Sequence, residues 1–442
     1  MNIVIFDQLW FADYFKQAGH NVITCGFNNN FDIRLQSYLL HINTVLKELP
    51  AGFSPDALLF LDNSMPPCYL GISELDIPCA FYSVDAHHHH LWHKHYAALF
   101  DYTFVAHKDY LGIMSEAGAT VQWLPLWASR YMEPSLEKRY DVIFIGNMDK
   151  KLNPERVEFI DALSKKINLF STMGKFWEYY PFSEIVLNQT VKGDLNFRVF
   201  EGMMSGALLL TEKTGNGLMD LFNDGEHLIT YHKGNVDEVA ERVQELLQNR
   251  RLCREIGANG RDEILRNHTE EKRAKKVLSV LERLERKRDT RFFSSAVTYI
   301  HGATSYETID AVYVMACLVE GLKGVERGLR SGEKVSDEQS LFIVLGCLEY
   351  DRLLRSQSGS ILLEGLRESY PDMLAFHFAC IRNRLNKGDF DGAGRLAAEI
   401  HMEGEEAFSR SESVIKAILS MKEPSLSAEK KDPIGLYKTP TN

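Results

Sequence analysis

The 442-residue sequence predicts an α/β fold, with two Rossmann-like, doubly wound units in tandem followed by an α-helical domain. Three observations carry this. Short apolar runs alternate with helix-period stretches through residues 1–128. The alternation breaks at a polar stretch, 127–139, and then restarts. From about residue 292 strand-like runs vanish, and helical periodicity dominates to about residue 421. Strands that alternate with helices build a parallel sheet covered on both faces.

Ile3, Val4, Ile5 and Phe6 form a continuous apolar run that reads as a buried strand. Residues 10–18 read as a helix closed by Gly19, and 22–25 as the next strand. In 32–49, Leu35, Leu39, Ile42 and Leu46 recur at helical spacing and predict one helix. Strand 57–61 follows the turn signal Ser54-Pro55-Asp56. Strands 79–82, 102–105 and 121–124 complete the first unit, 1–128. Residues 127–139, with Pro134, read as a linker.

The second unit, 139–288, starts with strand 141–145 and helix 154–166, whose Pro154 suits a first helical turn. Strand 184–187, helix 195–204 and strands 207–211 and 228–231 follow, and helices 236–248, 251–266 and 270–287 close it. The helical domain spans 289–425. Within it Ala379, the turn Gly388-Asp389-Phe390, Ala393 and Ala397 resemble one tetratricopeptide-type hairpin, and 339–368 reads as a degenerate copy. A plain helical domain is the alternative. Residues 426–442, which carry Lys430, Lys431, Pro433, Lys438 and Pro440 and few large apolar residues, are predicted to be disordered.

Hydrophobic residues make up 45% and charged residues 25%, the balance of a soluble globular protein. A net charge of −11 argues against non-specific nucleic-acid binding, which needs a basic footprint. No apolar stretch is long enough to predict a transmembrane helix. The N-terminus lacks the basic start of a signal peptide and reaches Asp7 early. The seven scattered cysteines, without a CxxC, read as reduced thiols of a cytoplasmic protein.

Ligands of parallel α/β units sit at the carboxyl ends of strands. The informative loop is 188–198, which runs into the helix before Gly206. A helix N-terminus favours phosphate. Lys192 and Arg198 add cations at the same mouth, and Glu201 lies one turn in, where it can accept hydrogen bonds from vicinal hydroxyls. That combination suits a nucleoside diphosphate with its ribose. Alternatively, Asp194 and Asn196 cap the helix and Glu201 is solvated. Asn216, in the loop Thr214-Gly215-Asn216-Gly217, sits where a donor's sugar or phosphate would lie.

Six histidines fall within 87–95, after Asp85. Three readings stand: a metal site with Asp85; a catalytic or acceptor-binding surface on which Asp85, His88 and His93 face the cleft; or a polar helix start with Asp85 as cap and solvated imidazoles. We take the second. Asp62-Asn63-Ser64, also at a strand end, reads as a turn before Pro66-Pro67 or as a lesser site element.

The segment Leu187-Asn188, Gly193-Asp194-Leu195-Asn196-Phe197-Arg198-Val199-Phe200-Glu201 and Ser205-Gly206-Ala207-Leu208-Leu209-Leu210-Thr211 resembles the second domain of GT-B glycosyltransferases, in the CgeB-like branch near the group 1 enzymes. Leu221-Phe222-Asn223-Asp224-Gly225-Glu226-His227 and His268-Thr269 extend the match, as do Phe144-Ile145-Gly146-Asn147 and Phe104-Val105-Ala106-His107-Lys108-Asp109-Tyr110. The resemblance spans roughly residues 55 to 285. It implies a hexosyltransferase-type enzyme with a nucleotide-diphospho-sugar donor in the second domain. Glu201 would hold the ribose, and Gly146, Asn147, Lys192, Asn196 and Arg198 would face the diphosphate. Group 1 enzymes carry a second glutamate eight positions earlier, facing the sugar. Here that position is Gly193, and the nearest acid is Asp194.

The resulting expectation is sugar transfer with no metal or other cofactor, because helix dipole and cations offset the leaving charge. Asp85 or a neighbouring histidine would deprotonate the acceptor if the reaction inverts. The helical domain would recruit a protein acceptor or partner subunit. A non-catalytic scaffold on the same shell and a sugar-nucleotide epimerase are the alternatives.

Overall fold

The computed structural model describes residues 1–287, 291–305 and 311–400. The first unit contains β1 (Asn2–Phe6), β2 (Asn21–Gly26), β3 (Ile33–Arg34), β4 (Leu40–His41), β5 (Ala57–Leu61), β6 (Tyr69–Leu70), β7 (Cys79–Ser83), β8 (Tyr102–Val105) and β9 (Val121–Trp123). Seven of these form one parallel sheet in the order β3-β2-β1-β5-β7-β8-β9, and β4 pairs with β6 alone. The second sheet, also parallel, has the order β11-β10-β12-β13-β14. Its strands are β10 (Tyr140–Ile145), β11 (Leu169–Thr172), β12 (Ser183–Asn188), β13 (Leu208–Glu212) and β14 (Ile229–Tyr231).

The helices of the first unit are α1 (Ala12–Gln17), α2 (Ile42–Lys47), α3 (Ala86–Ala97) and α4 (Leu111–Glu116). The second has α5 (Pro154–Leu163), α6 (Phe197–Met204), α7 (Leu218–Leu221), α8 (Val236–Gln248), α9 (Arg250–Asn267) and α10 (Glu270–Leu281). Strand residues are apolar on both faces because both are covered: Val4, Phe6, Leu58 and Phe60 pack on one side of the first sheet, and Ile3, Ile5, Leu59 and Leu61 on the other.

That second cluster continues through Trp127 into Ile143, Val186 and Phe200 of the second unit. Trp127 has no exposure, and its ring lies 4.9 Å from Phe11 and 5.3 Å from both Trp10 and Phe197. The stretch expected as a polar linker is therefore a packed seam at its start. Helix α10 also crosses back. Arg273 is buried and donates to the carbonyls of Pro125 and Leu126, and Glu270 accepts the Phe11 N–H at 3.0 Å.

The single helix expected over 32–49 is absent. Asp32 accepts the N–H and Oγ–H of Thr24, both at 2.8 Å, which holds β3 beside β2. Only α2 remains helical there. Local side-chain to backbone bonds of this kind compete with helix. Strand β11 was not expected. It is a half-exposed edge with a Ser and a Thr, so it lacks an apolar run.

Among the described residues six helices follow: α11 (Phe292–Ser305), α12 (Ala311–Ser331), α13 (Asp337–Leu354), α14 (Ser358–Ser369), α15 (Leu374–Asn386) and α16 (Phe390–Ala398). They pack on the first unit. Helix α11 lies on α3, Tyr299 Oη donates to Tyr69 O at 2.7 Å, and Tyr313 Oη donates to Pro67 O at 2.9 Å. Lys94 pairs with Glu338, and Arg327 with Glu74 at 2.5 Å. The expected boundary at 288/289, the end of the helical domain at 425 and the tail 426–442 lie outside the described residues. All seven cysteines are buried and free. Among the described residues no helix is long and apolar enough to cross a membrane.

Candidate active site

The strand order of the second sheet reverses between β10 and β12, and the loops leaving them diverge. A cleft of about 490 Å³ opens at this point. Ile145, Gly146 and Asn147, after β10, form its floor; Met173, Gly174, Phe176 and Tyr180 form one wall. The other wall is Arg156 from α5 with Asp194, Asn196, Phe197, Arg198 and Glu201.

Arg198 is locked in place. Its Nε donates to Ile145 O at 2.8 Å and its Nη1 to Asn188 Oδ1 at 2.7 Å, and the guanidinium lies 4.8 Å from the Phe144 ring centre. A Cβ at Gly146 would lie 2.6 Å from Arg198 Nη2, so only glycine leaves room for the guanidinium. Arg156 lies beside it. Its Nε donates to Gln189 Oε1 at 2.8 Å, and its Nη atoms reach the carbonyls of Asn147 and Gln189. Burial, then the neighbouring Arg198, lowers Arg156 to about 10, which leaves it charged at neutral pH. All these acceptors are neutral oxygens, so two positive charges face the cleft together.

Asn196 occupies the N-cap of α6 in extended backbone and makes no capping bond. Its Oδ1 is buried and has no hydrogen-bond partner among the described residues. The first amides of α6 thus carry no side-chain cap, which leaves donors and the positive dipole end for an anion. Asp194 accepts the Val191 N–H at 2.6 Å, and burial raises its pKa. Glu201 is 9% exposed and accepts the Ser129 Oγ–H at 2.5 Å; burial pushes it up to about 7. The solvated alternative for Glu201 does not hold. Asn147 accepts the Asp149 N–H at 2.8 Å, turning the loop at the cleft floor.

Lys192 and Asn216 part from this group. Lys192 has a left-handed backbone (φ 52), and its charge acts on His87, His88 and His89 of the first unit. Asn216 is buried, and its side chain is used internally. Nδ2 donates to Gly193 O at 2.8 Å, and Oδ1 accepts the Asp109 N–H at 3.4 Å. It supports the loop, with its side-chain oxygen and nitrogen both engaged inside the protein.

The histidines sit on α3, at the carboxyl end of β7. His87, His93 and His95 are buried and only His88 is exposed, so the picture of solvated imidazoles does not hold. The helical region, packed against α3, supplies much of the cover, which a polar helix read alone cannot reveal. His93 cannot face the cleft. It has no exposure, and its Nδ1 lies 2.9 Å from Ser83 Oγ and 3.8 Å from Asp62 Oδ2. Asp85 stands at the N-cap without a capping bond, and Asp62 fixes the backbone that leads into the helix, accepting the N–H groups of Val84 and Asp85 at 2.9 and 2.7 Å. Burial, with Asp62 and Asp194 nearby, raises Asp85 to about 7. Among the described residues no three His, Cys, Asp or Glu side chains converge as a metal site needs.

Sequence reasoning missed Arg156, Ser129, Phe176 and Tyr180. Arg156 lies in a charged first turn with no motif, and the others meet the cleft only through tertiary packing. The one available signal was Pro154, which places residue 156 on the turn that follows a strand's carboxyl end.

Residues 156–279 match the family model described as glycosyl transferase-like. Among solved structures, the chain is similar to a sucrose-phosphate synthase from Thermosynechococcus elongatus. That match has 11% identity and a TM-score of 0.51, and covers 64% of this chain and 98% of that one. It is also similar to HepE of Anabaena, solved with UDP and glucose, at 12% identity and TM-score 0.50, covering 64% and 100%. No curated protein matches the chain. The two α/β units have the GT-B fold of glycosyltransferases.

Proposed function

We propose that this protein transfers a glycosyl group from a nucleoside-diphosphate sugar, held in the cleft of the second unit, to an acceptor that enters against the first. The observation that carries this is the pair Arg156 and Arg198, bonded only to neutral oxygens beside the uncapped start of α6, with Glu201 one turn further on. Phosphates call for the cations and amides; vicinal ribose hydroxyls call for the carboxylate; Phe176 and Tyr180 offer the base an aromatic wall. The glycosyl transferase-like match over 156–279 supports the same class. HepE binds UDP, which makes UDP-sugars the first donors to try.

In the reaction, the bond between the anomeric carbon and the diphosphate oxygen breaks and one to an acceptor oxygen forms. The diphosphate leaves with added charge, which Arg156, Arg198 and the α6 amides stabilise in place. These cations do the work that a divalent ion would otherwise do, so no metal is required. The acceptor hydroxyl gives up its proton, and Asp85, at about 7, is matched to take it at neutral pH. His88, exposed beside it, contacts the acceptor. A sugar of hexose type and an acceptor protein drawn in by the helical region complete the reading; its support is that this region packs on the acceptor side, against α3.

The test is UDP release from a panel of UDP-sugars by the full chain, with Asp85→Asn alongside. Release that falls about a hundredfold in the variant supports the reading. No release or binding with any nucleoside-diphosphate sugar would sink it.

A further inference from the structure

The segment after β8 of the first unit meets the loop after β13 of the second. Asp109 Oδ2 accepts the Asn216 N–H at 2.9 Å, and the Asp109 N–H points back to Asn216 Oδ1 at 3.4 Å. Next to this, Lys108 pairs with Asp220 at 2.7 Å and lies 5.3 Å over the Trp123 ring. A Cβ at Gly215 would come within 2.4 Å of Asp109 Oδ2, and one at Gly217 within 2.2 Å of the Trp123 ring. The two units are fitted closely here, and glycines make the fit possible.

The contact reaches further. Asn216 Nδ2 donates to Gly193 O at 2.8 Å, and Thr214 Oγ1 donates to the same oxygen at 2.6 Å. Gly193 O belongs to the loop that carries Lys192, Asp194 and Asn196. Lys192 and Asn216 both hold left-handed backbone, φ 52 and 55, which residues with side chains adopt only where the surroundings dictate it. Those surroundings include a residue of the other unit.

We propose that Asp109 is a positioning residue: from the first unit it fixes, through Asn216, the backbone of the loop 191–196 that frames the donor cleft in the second. Its significance for catalysis rests on the glycosyl-transfer reading above. Docking of the two units and shaping of the phosphate-facing loop are then one event. A donor is held productively only when the acceptor side is in place, which limits futile hydrolysis.

The experiment needs no donor for its first arm. In the full chain, the Val191 and Asp194 amides bond within the loop, to Asp194 Oδ1 and Val191 O. Asp109→Ala should speed hydrogen exchange at these amides about tenfold or more, while amides of β12 keep wild-type rates. Asp109→Asn keeps an acceptor oxygen and should retain protection. Asn216→Ala should reproduce the loss, and the double variant should add little to it. In the second arm, with UDP-glucose as probe, Asp109→Ala should lower kcat about tenfold or more while UDP affinity changes less than about threefold. Unchanged exchange in Asp109→Ala overturns the proposal, whatever Asn216→Ala does. Faster exchange in a protein that binds no UDP-glucose would sustain the relay and count against the donor reading alone.

Discussion

Ser129 donates its hydroxyl proton to Glu201 across 2.5 Å, so a residue of the segment joining the two units holds the carboxylate on α6. That carboxylate is raised to about 7 by burial, and the Ser129 bond, which favours its charged form, holds it lower than burial alone would. Ser129→Ala should raise Glu201 further and leave it largely protonated at neutral pH. UDP binding at pH 7 should weaken by about 1.5–3 kcal/mol, the range for a hydrogen bond to a charged group, and recover in part at higher pH. Calorimetric titration at two pH values checks it; equal affinities for wild type and variant would detach Ser129 from the site.

Glu201 also leaves a mark on stability. Its folded value of about 7 lies above the ordinary 4.5, so between these the folded protein keeps a proton that the unfolded chain has released. The contribution to stability is full below the unfolded value and is lost as pH rises through that window. Glu201→Gln cannot titrate. Relative to wild type it should gain up to about 3 kcal/mol of stability between pH 4.5 and 8. Denaturant unfolding at both pH values reads this difference directly, and a constant offset would contradict a raised pKa.

His95 titrates in the opposite sense. Burial, with Lys94 beside it, lowers it to about 3 where α3 meets the helical region. The unfolded chain binds a proton near the ordinary 6.5, while the folded one stays neutral, so stability is lost as pH falls below that value. His95→Gln should narrow that loss, gaining about 2 kcal/mol relative to wild type between pH 6.5 and 5. Parallel melting curves across that range would show His95 to be protonated in the folded protein.

The helical region is bound into the first unit through Tyr299, Tyr313 and the cover it gives α3. Deleting the chain from residue 292 should expose His93, Lys94 and His95 and lower the melting temperature by several degrees or more. A truncated protein that melts like wild type would mean the region contributes no packing. Point substitutions on its outer face are then the sounder way to ask whether it recruits an acceptor.

The two sheets were legible because β1, β5, β10 and β12 each contain an apolar run, such as 142–145 and 185–187, which only doubly covered strands need. Cleft residues Asn196, Arg198 and Glu201 were legible because they open a helix after such a strand. What failed was set at a distance. Asp32 bonding to Thr24 turned a helical period into an edge strand. Trp127 read as linker because its partners Trp10, Phe11 and Phe197 lie far away in sequence. His93 read as a cleft residue because nothing local reveals Ser83 and Asp62 around it. Asn216 occupied a plausible donor position, yet Gly193 and Asp109 claim its amide.

The proposed hold of Arg156 and Arg198 on a nucleoside diphosphate is tested by calorimetric titration of UDP into the full chain and into Arg156→Ala and Arg198→Ala. One site per chain is expected. Each variant, still folded by circular dichroism, should lose about 1.5–3 kcal/mol of binding, the range for a hydrogen bond to a charged group. Affinity that is unchanged in both folded variants would show that neither arginine holds the diphosphate.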